Sequence, residues 1–427
     1  MSNSEVKSDV QIGATNSLWT AAQKKRTAIS GVLLFLLLLS AALISRSEGG
    51  NNAALSIIFG LSLGIVFERG RFCFYCIFRD SFNQKSSAPL ISIYVAIAVG
   101  SIGYAVIFGQ FLPQPDSGNL PPAAHIPPLS IPLLVGGLIF GFGMVLSGSC
   151  ISGHIYRIGV GSTKSIPALI GVVLGFALGF KSWNWLYLNF IIDAPVIWLP
   201  RYLGYAGSLA LTIGVVVLLV SRALQTSAAA AKSNPSQCQT NASQEQVTYG
   251  QYQTFSGYLH KAINVQWGPV VTGSLVGIVG MLAYLRIEPL GVTRQLGTTA
   301  RNVATDRGLI PENLAGLDVM SGCIAAIDQL FTNNGWLISG IVAGAFVSAF
   351  AGQRFKLVFV SPRELGTTSL GGVLLGWAAM TALGCTVGVL LSGTQAFALS
   401  GWVFFLFIYL GVALGRKIGL QKLSNVG

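Results

Sequence analysis

Ten stretches of this chain are apolar almost without interruption: 29–45, 53–67, 89–112, 131–147, 166–180, 203–220, 265–285, 336–351, 370–384 and 398–415. Nowhere do apolar and polar residues alternate over ten positions, as they do in the strands of a membrane barrel. The pattern therefore predicts an all-α integral membrane protein. Several runs fall short of the roughly 20 residues that cross a bilayer as one helix. Two of these, 131–147 and 370–384, pass straight into segments containing Gly and Cys. Helices broken within the membrane look like this in sequence.

Composition agrees. Hydrophobic residues make up 52% of the chain and charged residues only 9%, against about 25% charged in soluble domains. The 52 glycines suit closely packed membrane helices. A net charge of +12 raises the question of nucleic acid. The basic residues stand singly between apolar runs, however, without a basic stripe, zinc finger or aromatic RNA motif, so no nucleic-acid partner is expected. They carry topology instead. With the N-terminus inside and the spans alternating, 19 of the 26 Lys and Arg fall on the inner side, which places both termini in the cytoplasm. The outlier is 286–335, with Arg286, Arg294, Arg301 and Arg307 on the nominal outside, and part of it is expected to re-enter the protein. The run 29–45 follows Lys24, Lys25 and Arg26 like the core of a signal peptide. It is long for that and lacks an A-x-A site, so it reads as a retained helix.

The expected organisation is a cytoplasmic tail (1–28), an additional transmembrane helix (29–45), a first repeat (53–181), a linking helix (203–220), a flexible cytoplasmic linker (221–264), a second repeat (265–416) and a C-terminal tail (417–427). The repeats rest on GGLIFGFGMVLSGSCISG at 136–153 and GGVLLGWAAMTALGCTVG at 371–388. Gly136, Gly137, Gly141, Cys150 and Gly153 fall on Gly371, Gly372, Gly376, Cys385 and Gly388 at one offset. Four spans, one linking span and four more invert the second half relative to the first. This is an inverted-repeat bundle of about nine core helices, with the site where the repeats meet at the midplane. A proline-stiffened loop, 112–128, lies outside.

Each repeat presents one cysteine after a broken helix, Cys150 or Cys385. Free cysteine often only packs, but matched positions in two repeats point to a shared task. A third site is RFCFYCIFRD at 71–80, at the cytoplasmic end of the second run. A zinc site needs more Cys or His ligands than the three histidines of this chain provide. His154, the only histidine near a cysteine, is expected to be solvated. A redox C-x-x-C normally opens a helix of a soluble fold. Cys73 is therefore read as a pathway thiol and Cys76 as lipid- or core-facing. GVGSTKS at 159–165 lacks P-loop spacing, so no ATPase, metal or cofactor is expected. Two rival readings are a membrane thiol oxidoreductase working through Cys73 and Cys76, and an anion channel whose cysteines only pack.

RGRFCF, the GG-x-x-x-G…SGSC motif and its G…LGC partner resemble the YeeE/YedE sulfur-transport family of bacterial inner-membrane proteins. The resemblance covers roughly 53–416 apart from the linker. It implies a transporter, not an enzyme, that takes up thiosulfate or a related inorganic sulfur anion along a path carrying Cys73, Cys150 and Cys385. It also implies a small cytosolic sulfur-carrier protein as partner, to which the basic rim of Arg69, Arg71, Arg79 and Lys85 would dock. Cys323, Arg294 and Arg301 are secondary candidates, the arginines as attraction at the outer mouth. Such an anion has a soft terminal sulfur and hard oxygens. Neutral thiols suit the soft end, loose multi-point contact lets the ion leave, and helix N-termini supply positive potential without a fixed counter-ion.

Overall fold

The structure, a computed structural model, describes residues 20–47, 49–83, 87–233, 255–311, 313–317, 331–359 and 361–423. Its helices are α1 (Ala21–Ile44), α2 (Gly50–Gly70), α3 (Phe74–Asn83), α4 (Ile91–Phe111), α5 (Ile131–Ser147), α6 (Ile151–Val160), α7 (Ser165–Leu186), α8 (Pro200–Ser233), α9 (Phe255–Asn264), α10 (Pro269–Arg286), α11 (Arg294–Asp306), α12 (Asn333–Ala351), α13 (Pro362–Thr381), the π-wound α14 (Thr386–Gly393) and α15 (Leu399–Lys417). Among the described residues nine helical stretches are long and apolar enough to cross a membrane, and ten if α13 and α14 form one span bent by 43°. The chain is a multi-pass, all-α membrane protein, and each of the ten apolar runs coincides with a helix.

Local sequence sets the ends that hydropathy leaves open. α1 starts eight residues before its apolar run because Thr20 and Gln23 form a capping box over a polar first turn. Ser130 caps α5 by accepting from Leu133 N–H, with Pro132 in the first turn, and the helix stops at Gly148 (φ 78°). Ser361 and Glu364 box the start of α13. The segment expected to be a flexible linker is helical on both flanks, as α8 runs to Ser233 and α9 begins at Phe255. Residues 234–254 lie outside the described chain. The Arg-rich outlier contains α11, too short to cross a bilayer. It buries Gly297, Thr298, Ala300, Arg301 and Ala304, so it is drawn into the protein as expected.

α1 and α8 show lipid-facing surfaces, with Phe35 64% and Val217 61% exposed, where a soluble protein would be polar. Inside the ring, small residues let helices touch backbone to backbone. A Cβ on Gly64 of α2 would stand 2.2 Å from the Ile341 carbonyl oxygen of α12, and one on Gly376 of α13 would stand 2.0 Å from that of Val172 in α7.

The two broken helices lie against each other and run antiparallel. Gly136 of α5 faces Thr381 and Ala382 at the end of α13, and Gly143 faces Gly371 and Leu375. The breaks are thus at opposite ends of the pair. Gly136 and the break at Gly148 are twelve positions apart, roughly 18 Å of helix. One break faces the basic surface that carries Arg71, Lys164 and Arg354. The other lies under the 112–130 loop.

Candidate functional site

Cys73, Cys150 and Cys385 share one backbone construction. Each stands two residues after a left-handed position: Arg71 (φ 48°), Gly148 (φ 78°) and Leu383 (φ 61°). Each then begins a new helix. Cys150 is the N-cap of α6 and Cys385 that of α14, and Cys73 immediately precedes α3, its carbonyl accepting from Ile77 N–H at 2.9 Å. Arg71 and Gly148 are the C-caps of α2 and α5, and Leu383 follows the Ala382 C-cap of α13, so in each case the left-handed residue stands where one helix stops. Gly148 adopts this conformation without cost, whereas Arg71 and Leu383 carry backbone strain of the kind that concentrates at working sites. The result is a thiol at a helix N-terminus, where unpaired N–H groups and the helix dipole favour negative charge.

At the basic end two such termini meet. Cys73 Sγ lies 3.8 Å from Cys150 Sγ and 3.3 Å from Ser149 Oγ. Cys150 Sγ is 3.3 Å from Ser152 Oγ and accepts from Gly153 N–H at 3.4 Å. Both cysteines are fully buried. Phe67, Phe72 and Phe74 stack and cross beside them. Arg157 of α6 closes the cluster, its Nη2 donating to Cys76 Sγ at 3.0 Å and its Nη1 to the Gly148 carbonyl at 3.0 Å. Behind it, Arg354 holds Glu68 through Nε at 2.6 Å and Nη2 at 3.0 Å, which ties the end of α2 to α12.

At the other end Cys385 is the only thiol among the described residues, and Thr293 takes the neighbouring place. Thr293 is the N-cap of α11, and its side chain and the Val292 backbone border the Cys385 thiol. Four N-caps therefore form two pairs: Cys73 with Cys150, and Thr293 with Cys385. The strand of chain leading to Thr293 is held from α14, where Ser392 Oγ donates to the Leu290 carbonyl at 2.9 Å. Its outer side forms a recess with Ser56, Phe59 and Asn334. His125 descends from the 112–130 loop against this turn and is 2% exposed. Burial holds its imidazole down to about 4, so it is neutral at neutral pH.

The structure brings together two of the three pathway cysteines predicted from sequence and places the third at the opposite break. Arg294 is ion-paired with Glu288 in the segment before α11, and burial pushes the Glu288 carboxyl up. Its charge is thereby largely answered within the protein. Arg301 is buried, 3% exposed. Cys323 lies outside the described residues, as does Lys85. His154, expected to be solvated, is 1% exposed within α6, its Nδ1 3.4 Å from Ser165 Oγ. The expectation failed because the Gly-rich segment after Cys150 is a helix packed on α12, not a polar loop. Cys76 is core-facing, as read, and Arg157 is its unforeseen partner. Nothing in composition marks Thr293, whereas His125 had a signal in its setting among Ala and Pro.

Buried helix termini, thiols and a multi-span bundle define a membrane transporter rather than a soluble thiol enzyme. The chain belongs to the sulphur transport family, whose model matches residues 69–414. It is 28% identical to the thiosulfate transporter TsuA of Escherichia coli (strain K12) over 361 residues, 83% of this chain and 91% of that protein. It is 27% identical over 382 residues to the TsuA of Spirochaeta thermophila, covering 83% and 95% of the two chains. The probable transporter YedE of Escherichia coli is 29% identical over 190 residues, 44% of this chain and 45% of that one.

Proposed function

We propose that this protein imports thiosulfate, or a closely related inorganic sulfur anion, across the inner membrane, handing it from the Cys385 break to the Cys73–Cys150 pair. The observation that carries the reading is the meeting of two buried thiols, from segments 77 residues apart, at the N-termini of two helices. Such a point offers soft donors to the terminal sulfur, and the helix termini with Arg157 nearby offer positive potential to the dianion. The names of the two full-length relatives support thiosulfate as the substrate.

The same order of elements occurs twice: a long helix, a turn into a short one, a second long helix, and a broken helix followed by a long one. With the matched glycines this supports an inverted repeat, 53–181 and 265–416, whose halves rock about the paired breaks. The Lys and Arg distribution supports cytoplasmic termini and makes the Cys73–Cys150 end the exit. A small cytosolic sulfur-carrier protein receives the ion there and draws the flux inward by consuming it. Of the basic rim, Arg69 is buried and donates to the Val265 carbonyl, and Arg79 is paired with Asp80. Among the described residues of that rim, the exposed Arg71 is left as the charge for docking.

Uptake of labelled thiosulfate, sulfate and sulfite into vesicles holding this protein alone tests the proposal. Thiosulfate is expected to enter and to be competed poorly by sulfate, which has no soft end. Uptake of all three at similar rates points to a packed-cysteine channel instead.

A further inference from the structure

Three buried polar side chains surround the turn that carries Cys385, and none makes a hydrogen bond of standard geometry, Thr293 only lying against the Cys385 thiol. They are His125, with both ring nitrogens unpaired, Thr293 and Thr386, whose exposures are 2%, 0% and 0%. Buried donors without partners are rare and costly, and a group of them needs an explanation. At the Cys73–Cys150 end the corresponding hydroxyls, Ser149 and Ser152, are engaged with thiols at 3.3 Å. At that end His154 Nε2 is also without a partner, but there both hydroxyls beside the thiols are engaged, whereas those at the Cys385 end are not.

Geometry fixes where they act. A Cβ on Gly384 would stand 2.8 Å from His125 Nε2, so the ring edge lies on the residue before Cys385. The Leu383 carbonyl is beside the ring but short of hydrogen-bond geometry. Gly393, at the far end of α14, sits under the His125 carbonyl, so the loop is seated along the whole of that short helix. Thr293 borders the Cys385 thiol from α11, and Thr386 is the first residue of α14.

We propose that the Cys385 break is a two-ended anion site in which the thiol meets the terminal sulfur while His125 and Thr293, aided by Thr386, donate hydrogen bonds to the oxygens. The inference rests on the transport reading above and deepens it by naming what recognises the oxyanion end. An ion with oxygens alone meets the imidazole and hydroxyls but leaves the thiol idle. One with both ends uses every donor. A neutral imidazole offers one N–H and no net charge, so the site orders the dianion without holding it as an ion pair would. Among the described residues no charged side chain contributes to the surroundings of His125, in keeping with that role.

Calorimetric titration of sodium thiosulfate and sodium sulfate into the full-length protein in lipid nanodiscs tests this. His125→Ala and Thr293→Val are each expected to weaken thiosulfate binding about tenfold, the scale of one hydrogen bond to a charged group. His125→Asn and Thr293→Ser, which keep a donor, are expected to stay within about threefold of wild type. Cys385→Ala should weaken thiosulfate but leave sulfate unchanged. Thr293→Val preserves volume and carries the decision if His125→Ala does not fold. Wild-type affinity in His125→Ala and Thr293→Val, beside a weakened Cys385→Ala, overturns the oxyanion role and leaves the transport reading standing. A wild-type protein that binds no thiosulfate removes that reading and this inference together.

Discussion

Cys73 Sγ and Cys150 Sγ are 3.8 Å apart, each fully buried and each at the start of a helix. A disulfide needs about 2.05 Å, so a small movement of either turn would join them. A mild membrane-permeant oxidant is therefore expected to arrest transport, with full recovery on reduction. Cys73→Ser and Cys150→Ser, measured with residual rates, should be insensitive to the oxidant. Arrest that persists in both variants would place the sensitive thiol elsewhere.

Gly153 bears on the same contact. A Cβ there would stand 2.1 Å from Ser149 Oγ and 2.8 Å from Cys73 Sγ. Gly153→Ala should push Cys73 away from Cys150 and cut uptake at least tenfold, with insertion and thermal midpoint nearly unchanged. Normal uptake by Gly153→Ala would show that the thiol spacing is incidental.

Cys76 and Cys73 should separate in function. Cys76 accepts from Arg157, whose other nitrogen stays bound to the Gly148 carbonyl. Cys76→Ala removes one acceptor, a loss of about 1 kcal/mol, and most uptake should survive. Cys73→Ala should abolish it. Equal, complete loss in both would support a Cys73–Cys76 redox pair.

His125 gives stability a pH dependence of defined sign. Its folded value is about 4, below the unfolded value near 6.5. The unfolded chain therefore binds the proton first as pH falls. Stability is full above about 6.5, declines as pH drops toward 4 by on the order of 3 kcal/mol, and levels off below. Glu288, raised by burial, works in the opposite sense. The informative quantity is thus the difference between wild type and His125→Asn. The thermal midpoint of wild type should fall more steeply between pH 6.5 and 4, and parallel curves would contradict the burial of a neutral imidazole.

The run of apolar residues made every spanning helix legible, and the Gly-Cys endings of 131–147 and 370–384 announced both breaks. Long hydrophobic segments have few alternatives in a bilayer. The short helices α3, α6 and α11 were less visible because they are amphipathic or polar and are held by packing. The pairing of Cys73 with Cys150 required the α2 turn to meet the α5 break, a contact across the fold that no local pattern encodes. Thr293 escaped notice for a related reason: its place beside Cys385 comes from the packing of α11, not from residue type. For Arg294 and Arg301, composition does not reveal that Glu288 pairs with one and that α11 buries the other.

The central claim is that the anion passes by way of the buried thiols at both breaks. The most direct measurement is the initial rate of labelled thiosulfate uptake by purified Cys150→Ala and Cys385→Ala in vesicles, with equal amounts of folded protein confirmed in each. Alanine is small and apolar, so packing changes little, while the lost donor on a dry path has no replacement. The account predicts uptake at background in both variants. Wild-type rates in both would contradict it.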